Sequence, residues 1–338
     1  MPKRMLAVLL LVAQSPMQAG EAPAPATAGI PEDELSEVLV QAREPRYVAP
    51  TQRDKIGRVW VPVLINGKGP FRLVLDSGAT RSAVIPSVAS DLGIALDLSP
   101  PVILRGVTGS AVAQTIQVAS LSVGDLLIAP STLPIVADAF GGAQGLLGMD
   151  GMNDKRIYID FRNDFINVSY SRNLKAAYGF EALPFLKTNM KLLMVNARVG
   201  SIPVKAIVDT GAQASIGNAA LRDALASRYT RREHSVDEIT GATGDTQSGV
   251  GINVSPITIG NLTIRDAHLT FGDLHIFELW DMGQEPALVL GMDIIGLMDT
   301  VVIDYKRREM QIRPRNRGLG TSWSVAPAGG GPGLRTSD

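Results

Sequence analysis

The stretch FRLVLDSGATRSAVIP, residues 71–86, ends an apolar run on Asp76 and then turns at a hydroxyl residue and a glycine. A second stretch, VKAIVDTGAQASIGN at residues 204–218, repeats the arrangement, and its Asp209 follows Asp76 by 133 residues. Each apolar run predicts a buried strand, and the Ser-Gly or Thr-Gly pair after the aspartate predicts a sharp turn. One such turn would be ordinary, but two at matching places require a common explanation.

A duplication surrounds the two motifs. Five blocks recur in the same order, and the spacing between partners grows from 133 to 143 residues, with a seven-residue excess around residues 276–286 of the second copy. Two copies favour two related lobes over a solenoid. The paired blocks are residues 69–80 with 202–213, 104–110 with 239–245, 121–128 with 257–264, 145–150 with 288–293, and 158–168 with 302–312.

Each copy is predicted to consist mainly of β-strands. Alternating apolar residues and Gly-Asp or Gly-Asn pairs are typical of strands joined by tight turns. Helical patterns are short and lie near Ser87 and Asn218. The expected fold is mainly β, with two small lobes at residues 51–178 and 179–315 related by a pseudo-twofold axis and separated by a cleft.

The composition excludes several function classes. The chain has 338 residues, 45% of them hydrophobic, and a net charge of −1, as expected for a globular protein with two sizeable cores. Such a balance gives no electrostatic reason to expect nucleic acid or an anionic membrane as a partner. The absence of cysteine excludes disulfides, a thiol nucleophile and a cysteine zinc site.

The termini are predicted to lie outside the lobes. Residues 1–22 have a basic start, a short apolar stretch and small residues, which is typical of a signal peptide and predicts export to the periplasm or the medium. An uncleaved anchor remains an alternative, and no later segment is long enough to span a bilayer. Residues 23–50 are interpreted as a linker or pro-segment, and residues 316–338 as a flexible tail.

The two aspartates are the candidate catalytic residues. If the lobes meet about a pseudo-twofold axis, the strand ends bring Asp76 and Asp209 face to face. Two carboxylates in contact cannot both ionise cheaply, so they share one proton and form an acid and a base. Such a pair can activate a water while protonating a carbonyl oxygen. The pair titrates as a unit, so neither residue is assigned a pKa alone.

Four neighbouring residues are expected to support the pair. Gly78 and Gly211 allow the backbone to turn sharply beside the partner lobe and to donate N–H groups to the carboxylates. Ser77 and Thr210 can form hydrogen bonds across the interface and hold the geometry of the pair.

The sequence resembles the retropepsin-like aspartic proteases, with both halves fused in one chain as in pepsin-like enzymes. The resemblance covers about residues 51–314 and rests on the D-[ST]-G-A motifs at residues 76–79 and 209–212 and on the apolar-apolar-Gly elements at 146–148 and 289–291. In that family the latter strand runs beside the catalytic loop. The resemblance implies hydrolysis of an extended peptide or protein substrate by one chain, without a metal or organic cofactor.

The resemblance also implies a hairpin flap over the cleft in each copy. These segments carry threonine where pepsin-like flaps have a tyrosine, and both motifs continue with alanine, Ala79 and Ala212, where pepsin-like enzymes have a hydroxyl residue. Because a hydroxyl there could donate to the ionised carboxylate, we expect activity closer to neutral pH. The candidate flap residues are Gly106, Val107, Thr108, Gly109, Gly241, Ala242, Thr243 and Gly244.

Four further acidic residues are interpreted as structural. Asp150 and Asp293 follow a Leu-Gly-Met sequence where a short helix could begin, so they are predicted to cap helix N-termini. Asp160 and Asp304 lie in matching hairpins and are predicted to be turn residues.

Other chemistries have weak support. The three histidines, His234, His268 and His275, lack metalloprotease spacing and are expected at surface or sheet positions. The chain has no G-x-S-x-G motif, and the glycines of residues 141–148 lack the Lys-Ser/Thr ending of a phosphate loop. Trp280 could line a substrate subsite or pack against the core.

Two alternatives to a monomeric protease remain open. A catalytically silent peptide-binding or scaffold protein could use the same fold, since a fold does not guarantee activity. The lobes could also pair between chains, which would give a homodimer instead of a monomer with an internal pseudo-dimer.

Overall fold

The computed structural model describes residues 49–50, 57–96, 99–188, 192–229, 234–254 and 256–315. The predicted signal peptide, all but the last two residues of the linker, and the predicted tail at 316–338 lie outside the described residues. Within those ranges, none of the helices has the length and apolar character needed to cross a bilayer.

Strands account for about half of the described residues. Those up to residue 170 are β1 (Ala49–Pro50), β2 (Trp60–Ile65), β3 (Lys68–Leu75), β4 (Ala83–Val84), β5 (Val102–Arg105), β6 (Ser110–Ala113), β7 (Thr115–Val118), β8 (Leu121–Val123), β9 (Leu126–Ile128), β10 (Ser131–Pro134), β11 (Gly145–Leu147), β12 (Lys155–Asp160) and β13 (Phe165–Tyr170). Those that follow are β14 (Glu181–Pro184), β15 (Leu186–Lys187), β16 (Leu193–Val199), β17 (Ile202–Val208), β18 (Ile216–Gly217), β19 (His234–Thr240), β20 (Thr246–Val254), β21 (Ile257–Ile259), β22 (Leu262–Ile264), β23 (Ala267–Phe271), β24 (Ala287–Leu290), β25 (Met298–Asp304) and β26 (Glu309–Pro314).

The helices are short, as the sequence predicts. Helices α1 and α2 confirm the patterns near Ser87 and Asn218, while α3 lies in the segment where the second copy is longer. The helices are α1 (Pro86–Leu92), α2 (Ala219–Tyr229), α3 (His275–Leu279) and α4 (Met292–Ile295).

The first copy forms a six-stranded sheet in the order β4-β11-β3-β2-β8-β9. Strand β2 alternates, with Val61, Val63 and Ile65 fully buried, which is the period expected of a strand with one face on a core. Strand β11 runs parallel to β3, so the apolar-apolar-Gly element lies directly beside the strand that ends at Asp76. This confirms the predicted neighbour of the first motif.

The second copy repeats this arrangement in a larger sheet. Its order is β19-β20-β23-β18-β24-β17-β16-β21-β22, with β15 paired to β16. Strand β24 runs parallel to β17 and antiparallel to β18, as β11 does with β3 and β4. The sequence repeat therefore corresponds to a structural repeat.

A third sheet joins the two copies, in the order β1-β13-β12-β25-β26-β14. Its central pairing is antiparallel between β12 of the first copy and β25 of the second, with Tyr158 opposite Val302. Ile157, Ile159 and Val301 are almost completely buried, so the joint has an apolar core. The chain thus has the mainly β, bilobal fold that was predicted.

One hairpin projects from each copy. Strands β5 and β6 pair around a turn at residues 106–109, and β19 and β20 pair around a turn at residues 241–245. These are the two segments predicted as flaps, and both are β-hairpins.

Candidate active site

Asp76 and Asp209 follow the central strands β3 and β17. The backbone N–H of Asp76 donates to the Leu147 carbonyl at 3.0 Å, and that of Asp209 donates to the Leu290 carbonyl at 2.9 Å. The parallel neighbours β11 and β24 therefore fix the backbone at each aspartate. This explains why an apolar-apolar-Gly element accompanies each motif.

The structure brings the two carboxyl groups together: Gly78, in the Asp76 turn, faces the Asp209 carboxyl group, and Gly211 faces that of Asp76. Burial raises the pKa of Asp76 well above its ordinary value, and the charge of Asp209 raises it further. Burial also raises the pKa of Asp209, against backbone hydrogen bonds that lower it. The pair therefore retains one proton at a pH where isolated aspartates are ionised.

Backbone amides of the turns hold both carboxylates. The N–H of Gly78 donates to Oδ1 of Asp76 at 2.9 Å. The N–H groups of Gly211 and Ala212 donate to Oδ1 of Asp209 at 2.8 and 3.0 Å. Each turn thus orients its own carboxyl group.

The glycines in these turns face the carboxyl group of the other copy. A Cβ on Gly78 would lie 2.4 Å from Oδ2 of Asp209, and one on Gly211 would lie 2.4 Å from Cγ of Asp76. Real Cβ contacts are not this short. Glycine is required because the opposing carboxyl occupies the space of a side chain.

Ser77 and Thr210 form a reciprocal brace between the copies. Oγ of Ser77 donates to the Val208 carbonyl at 2.7 Å, and Oγ1 of Thr210 donates to the Leu75 carbonyl at 2.7 Å. The same hydroxyls accept from the partner backbone, from Thr210 N–H at 3.0 Å and from Ser77 N–H at 3.1 Å. Both side chains are fully buried, so water cannot replace these bonds.

The predicted helix N-caps at Asp150 and Asp293 are wrong. Asp150 lies in a turn, and Asp293 lies inside α4, whose N-cap is Gly291. The carboxylate of Asp150 instead accepts from the N–H and hydroxyl of Ser82 at 2.9 and 2.8 Å. Asp293 accepts from the N–H and hydroxyl of Ser215 at 3.0 and 2.7 Å.

Ser82 and Ser215 are site residues that the sequence reasoning missed. Each stands six positions after its aspartate and is fully buried. Each hydroxyl also accepts a backbone N–H, from Gly148 at 3.1 Å and from Gly291 at 3.0 Å. The sequence did contain a signal for these two residues, because the stretches 71–86 and 204–218 both have serine six positions after the aspartate.

The two hairpins meet at their tips. Oγ1 of Thr108 and Oγ1 of Thr243 are 3.5 Å apart, and a Cβ on Gly106 would lie 3.4 Å from Cγ2 of Thr243. Gly109 lies near Asp245, because a Cβ there would be 3.6 Å from its Oδ2. The hairpin from each copy therefore contacts the other.

The remaining tip residues lie in the same contact. Gly241 faces Thr108, and the N–H of Gly244 donates to the Gly241 carbonyl at 3.0 Å with a left-handed φ of 85°. Val107 and Ala242 are half-buried against apolar clusters. All eight predicted flap residues thus lie at the two tips.

An apolar cluster in the second copy links the first hairpin to the Asp209 turn. Val107 packs on this cluster, as does Ala212, three positions after Asp209. Trp280 also packs there, with its ring edge-to-face with Phe277 at 6.0 Å between centroids. Trp280 is therefore half-buried and packs against this apolar cluster. The buried members are Leu192, Ile207, Ile216, Ile239, Leu274, Ile276, Phe277, Met282, Ala287 and Val289.

Asp160 and Asp304 end strands β12 and β25, and their carboxylates accept hydrogen bonds from the turns that follow, which agrees with the predicted structural role. Oδ1 of Asp160 accepts from the N–H groups of Arg162 and Asn163 at 3.0 and 2.9 Å. Oδ1 of Asp304 accepts from the N–H of Arg307 at 3.0 Å and from the Ser171 hydroxyl at 2.7 Å. The bond from Ser171 also ties the first copy to the second.

The histidines occupy sheet and surface positions. His234 begins β19, and His275 is exposed at the start of α3. Nε2 of His268 lies 2.8 Å from Oδ2 of Asp237, on the sheet surface. Across the residues that the structure describes, no three His, Cys, Asp or Glu side chains form a group that could hold a metal ion.

Comparison with known proteins agrees with this geometry. A family model described as aspartyl protease matches residues 61–150 and 195–294, one region for each motif. A search of curated proteins finds no match. Since the matched regions make up more than half of the 338 residues and contain both aspartates, the chain belongs to the aspartyl protease family.

Proposed function

We propose that this protein is an aspartic endopeptidase in which Asp76 and Asp209 activate one water molecule. The observation that carries the proposal is the close approach of the two carboxyl groups across the boundary between the copies, each held by backbone N–H donors and each with a raised pKa. A pure binding site needs no pair of carboxyl groups that shares a proton.

The chemistry follows from the shared proton. The ionised carboxylate takes a proton from the water while the water oxygen attacks the scissile carbonyl carbon, and the protonated carboxyl donates its proton to the carbonyl oxygen. The resulting tetrahedral diol collapses when the newly protonated carboxyl donates its proton to the amide nitrogen, the other carboxylate takes a proton from a diol hydroxyl, and the C–N bond breaks. The pair is then left with one proton, as at the start. No residue other than the two aspartates has to change its protonation.

The substrate is a peptide segment in extended form. The hairpins around Thr108 and Thr243 close over the cleft, so their strands can form backbone hydrogen bonds with the peptide, and side-chain pockets then select residues. Because both members of the dyad come from one chain, we propose a monomeric enzyme. The N-terminal sequence favours export to the periplasm or the medium.

The test uses the purified protein with casein and with a peptide library between pH 3 and pH 8. Asp76→Asn and Asp209→Asn should each lower the cleavage rate by about 10²–10⁴-fold or more, because acid–base catalysis is lost. Asp91→Asn, at an exposed position on α1, is the matched control and should retain full activity. Peptide binding without cleavage at any pH would refute the proposal and favour a scaffold.

A further inference from the structure

The contact between the hairpins contains a hydrogen bond that links a side chain to a backbone. Nε2 of Gln247, on β20, donates to the carbonyl oxygen of Thr108 at 2.9 Å. The two residues are 139 positions apart and belong to different copies. The second hairpin therefore holds the backbone of the first at its tip.

Thr108 is enclosed although it stands at the end of a hairpin. Only 6% of its surface is exposed. A Cβ on Gly241 would lie 2.3 Å from Oγ1 of Thr108, so the second turn closes around the threonine side chain. A tip residue this buried cannot leave its position unless the second hairpin releases it.

The hydrogen bond from Gln247 has no counterpart donated by the first hairpin. Gln247 stands opposite Ile239 in its hairpin, and the equivalent residue opposite Leu104 in the first hairpin is Ala111. Alanine has no side-chain donor, so the first hairpin cannot return the bond. The two hairpins are therefore not equivalent, despite the internal repeat.

The held tip and the Asp209 turn pack on the same apolar cluster. Val107, beside Thr108, packs on the apolar cluster that also contacts Ala212 in the Asp209 turn. Displacement of the first tip would therefore expose part of the cluster that supports the Asp209 turn. Closure at Gln247 and access to the cleft are coupled through this packing.

We propose that Gln247 is a positioning residue, an amide latch by which the second hairpin holds the first hairpin closed. The first hairpin opens when the bond from Gln247 to the Thr108 carbonyl breaks. The structural part of the proposal is independent of catalysis, and only its kinetic consequence rests on the proposed function.

The first test is hydrogen–deuterium exchange of the intact protein, read at residues 102–113. Gln247→Leu keeps an apolar stem of similar size and removes the donor, so exchange in this segment should accelerate about fivefold, the factor that one neutral hydrogen bond contributes. Ser248→Ala, at the exposed neighbouring position on β20, is the matched control and should leave exchange unchanged.

The variant Gln247→Glu distinguishes a hydrogen-bonding role of this side chain from a role in packing alone. At pH 7 the introduced carboxylate would face a carbonyl oxygen without a proton to donate, so the hairpin should open more than in Gln247→Leu. Near pH 4 the carboxyl is largely protonated and can donate again, so the ratio of its exchange to wild type should fall toward one. Asp245, in the adjacent turn, is the same in both proteins, so its effect cancels in this ratio.

The kinetic arm measures KM and kcat on a cleaved peptide. Gln247→Leu should raise KM about fivefold and change kcat by less than about twofold, because closure is weakened while the dyad is untouched. Unchanged exchange at residues 102–113 in both variants would overturn the latch, and so would equal acceleration in β2 and β3. Absence of cleavage in the wild type would refute the protease proposal while the exchange result still decides the latch.

Discussion

Gly78 and Asp209 occupy complementary space across the boundary between the two copies. A Cβ on Gly78 would lie 2.4 Å from Oδ2 of Asp209, and Gly211 has the same relationship to Asp76. Each glycine leaves room for the carboxyl group of the other copy. The Asp-[Ser/Thr]-Gly motif therefore forms both a local turn and a contact between the two copies.

Gly78→Ala should abolish most activity. The added methyl group must displace the Asp209 carboxyl, and a displacement of about 1 Å costs on the order of 10²-fold in rate. Peptide cleavage and circular dichroism of the same preparation would measure the effect. Thr80→Ala, at an exposed position in the same turn, is the control, and equal losses in both variants would contradict the steric argument.

Ser77→Ala and Thr210→Ala should each destabilise the protein by about 1–3 kcal/mol, because each leaves buried backbone groups without a partner. Since the two hydroxyls brace the same interface, the double variant should lose less than the sum, with a coupling of about 0.5–3 kcal/mol. Urea unfolding would measure both quantities.

The swap of Ser77→Thr with Thr210→Ser retains both hydroxyls and is the control for this cycle. It should retain most of the stability. Strict additivity of the two alanine variants would show that the brace does not act as one unit.

Asp76→Asn should stabilise the folded protein more at pH 8 than at pH 4. Burial raises the pKa of Asp76, so the folded state binds a proton more tightly than the unfolded state. The resulting contribution to stability is present at low pH and is lost as pH rises through the raised pKa. The variant Asp76→Asn has no ionisable group at this position, so it does not lose stability in this way as the pH rises.

Thermal unfolding at both pH values would check the sign. Each kcal/mol of difference should appear as about 2–4 °C in Tm for a chain of this size class. A wild type that gains stability relative to Asp76→Asn as pH rises would contradict a raised pKa.

The double variant Ala79→Ser with Ala212→Ser should shift the pH–activity profile toward acid. A hydroxyl beside each carboxylate would donate to its ionised form and lower the pKa of the pair. The N–H of Ala212 already lies 3.0 Å from Oδ1 of Asp209, so a serine there is close enough to act. Profiles of kcat/KM between pH 3 and pH 8 would measure the shift, and an unmoved profile would refute the idea.

Thr108→Cys with Thr243→Cys should create a reversible lock on the hairpins. The two hydroxyl oxygens are 3.5 Å apart, and the chain has no other cysteine to compete. Oxidation should lower peptide cleavage by about tenfold or more, because the flaps could no longer open, and reduction should restore it. Each single variant under the same oxidant is the control. Full activity of the oxidised double variant would show that tip separation is not needed.

The repeated motifs were predictable because their signal is local and occurs twice. The buried strand, the aspartate, the hydroxyl residue and the glycine follow one another within a few positions, and the second copy repeats this order. The hairpins were expected from the family resemblance at residues 106–110 and 241–245, and these segments also belong to a repeated block. In each case the residues that carry the signal are close neighbours in the chain.

The failed predictions concern residues whose partners are distant. Asp293 was expected to cap a helix, but its carboxylate is bound by Ser215, 78 positions earlier. Gln247 carries no sequence signal, since its acceptor lies 139 positions away. Local spacing does not indicate which distant group will reach a side chain.

The order of residues along the chain was enough to identify the groups: two equivalent carboxyl groups on duplicated strand ends, hydroxyls and glycines beside them, and no thiol. The folding of the two copies against each other brought the carboxyl groups together, where burial raises their pKa values, and placed Gln247 of the second hairpin on the Thr108 carbonyl. A pKa and a contact both depend on distance and on exclusion of water, and the pairing of β12 with β25 and the packing of the two copies set those distances.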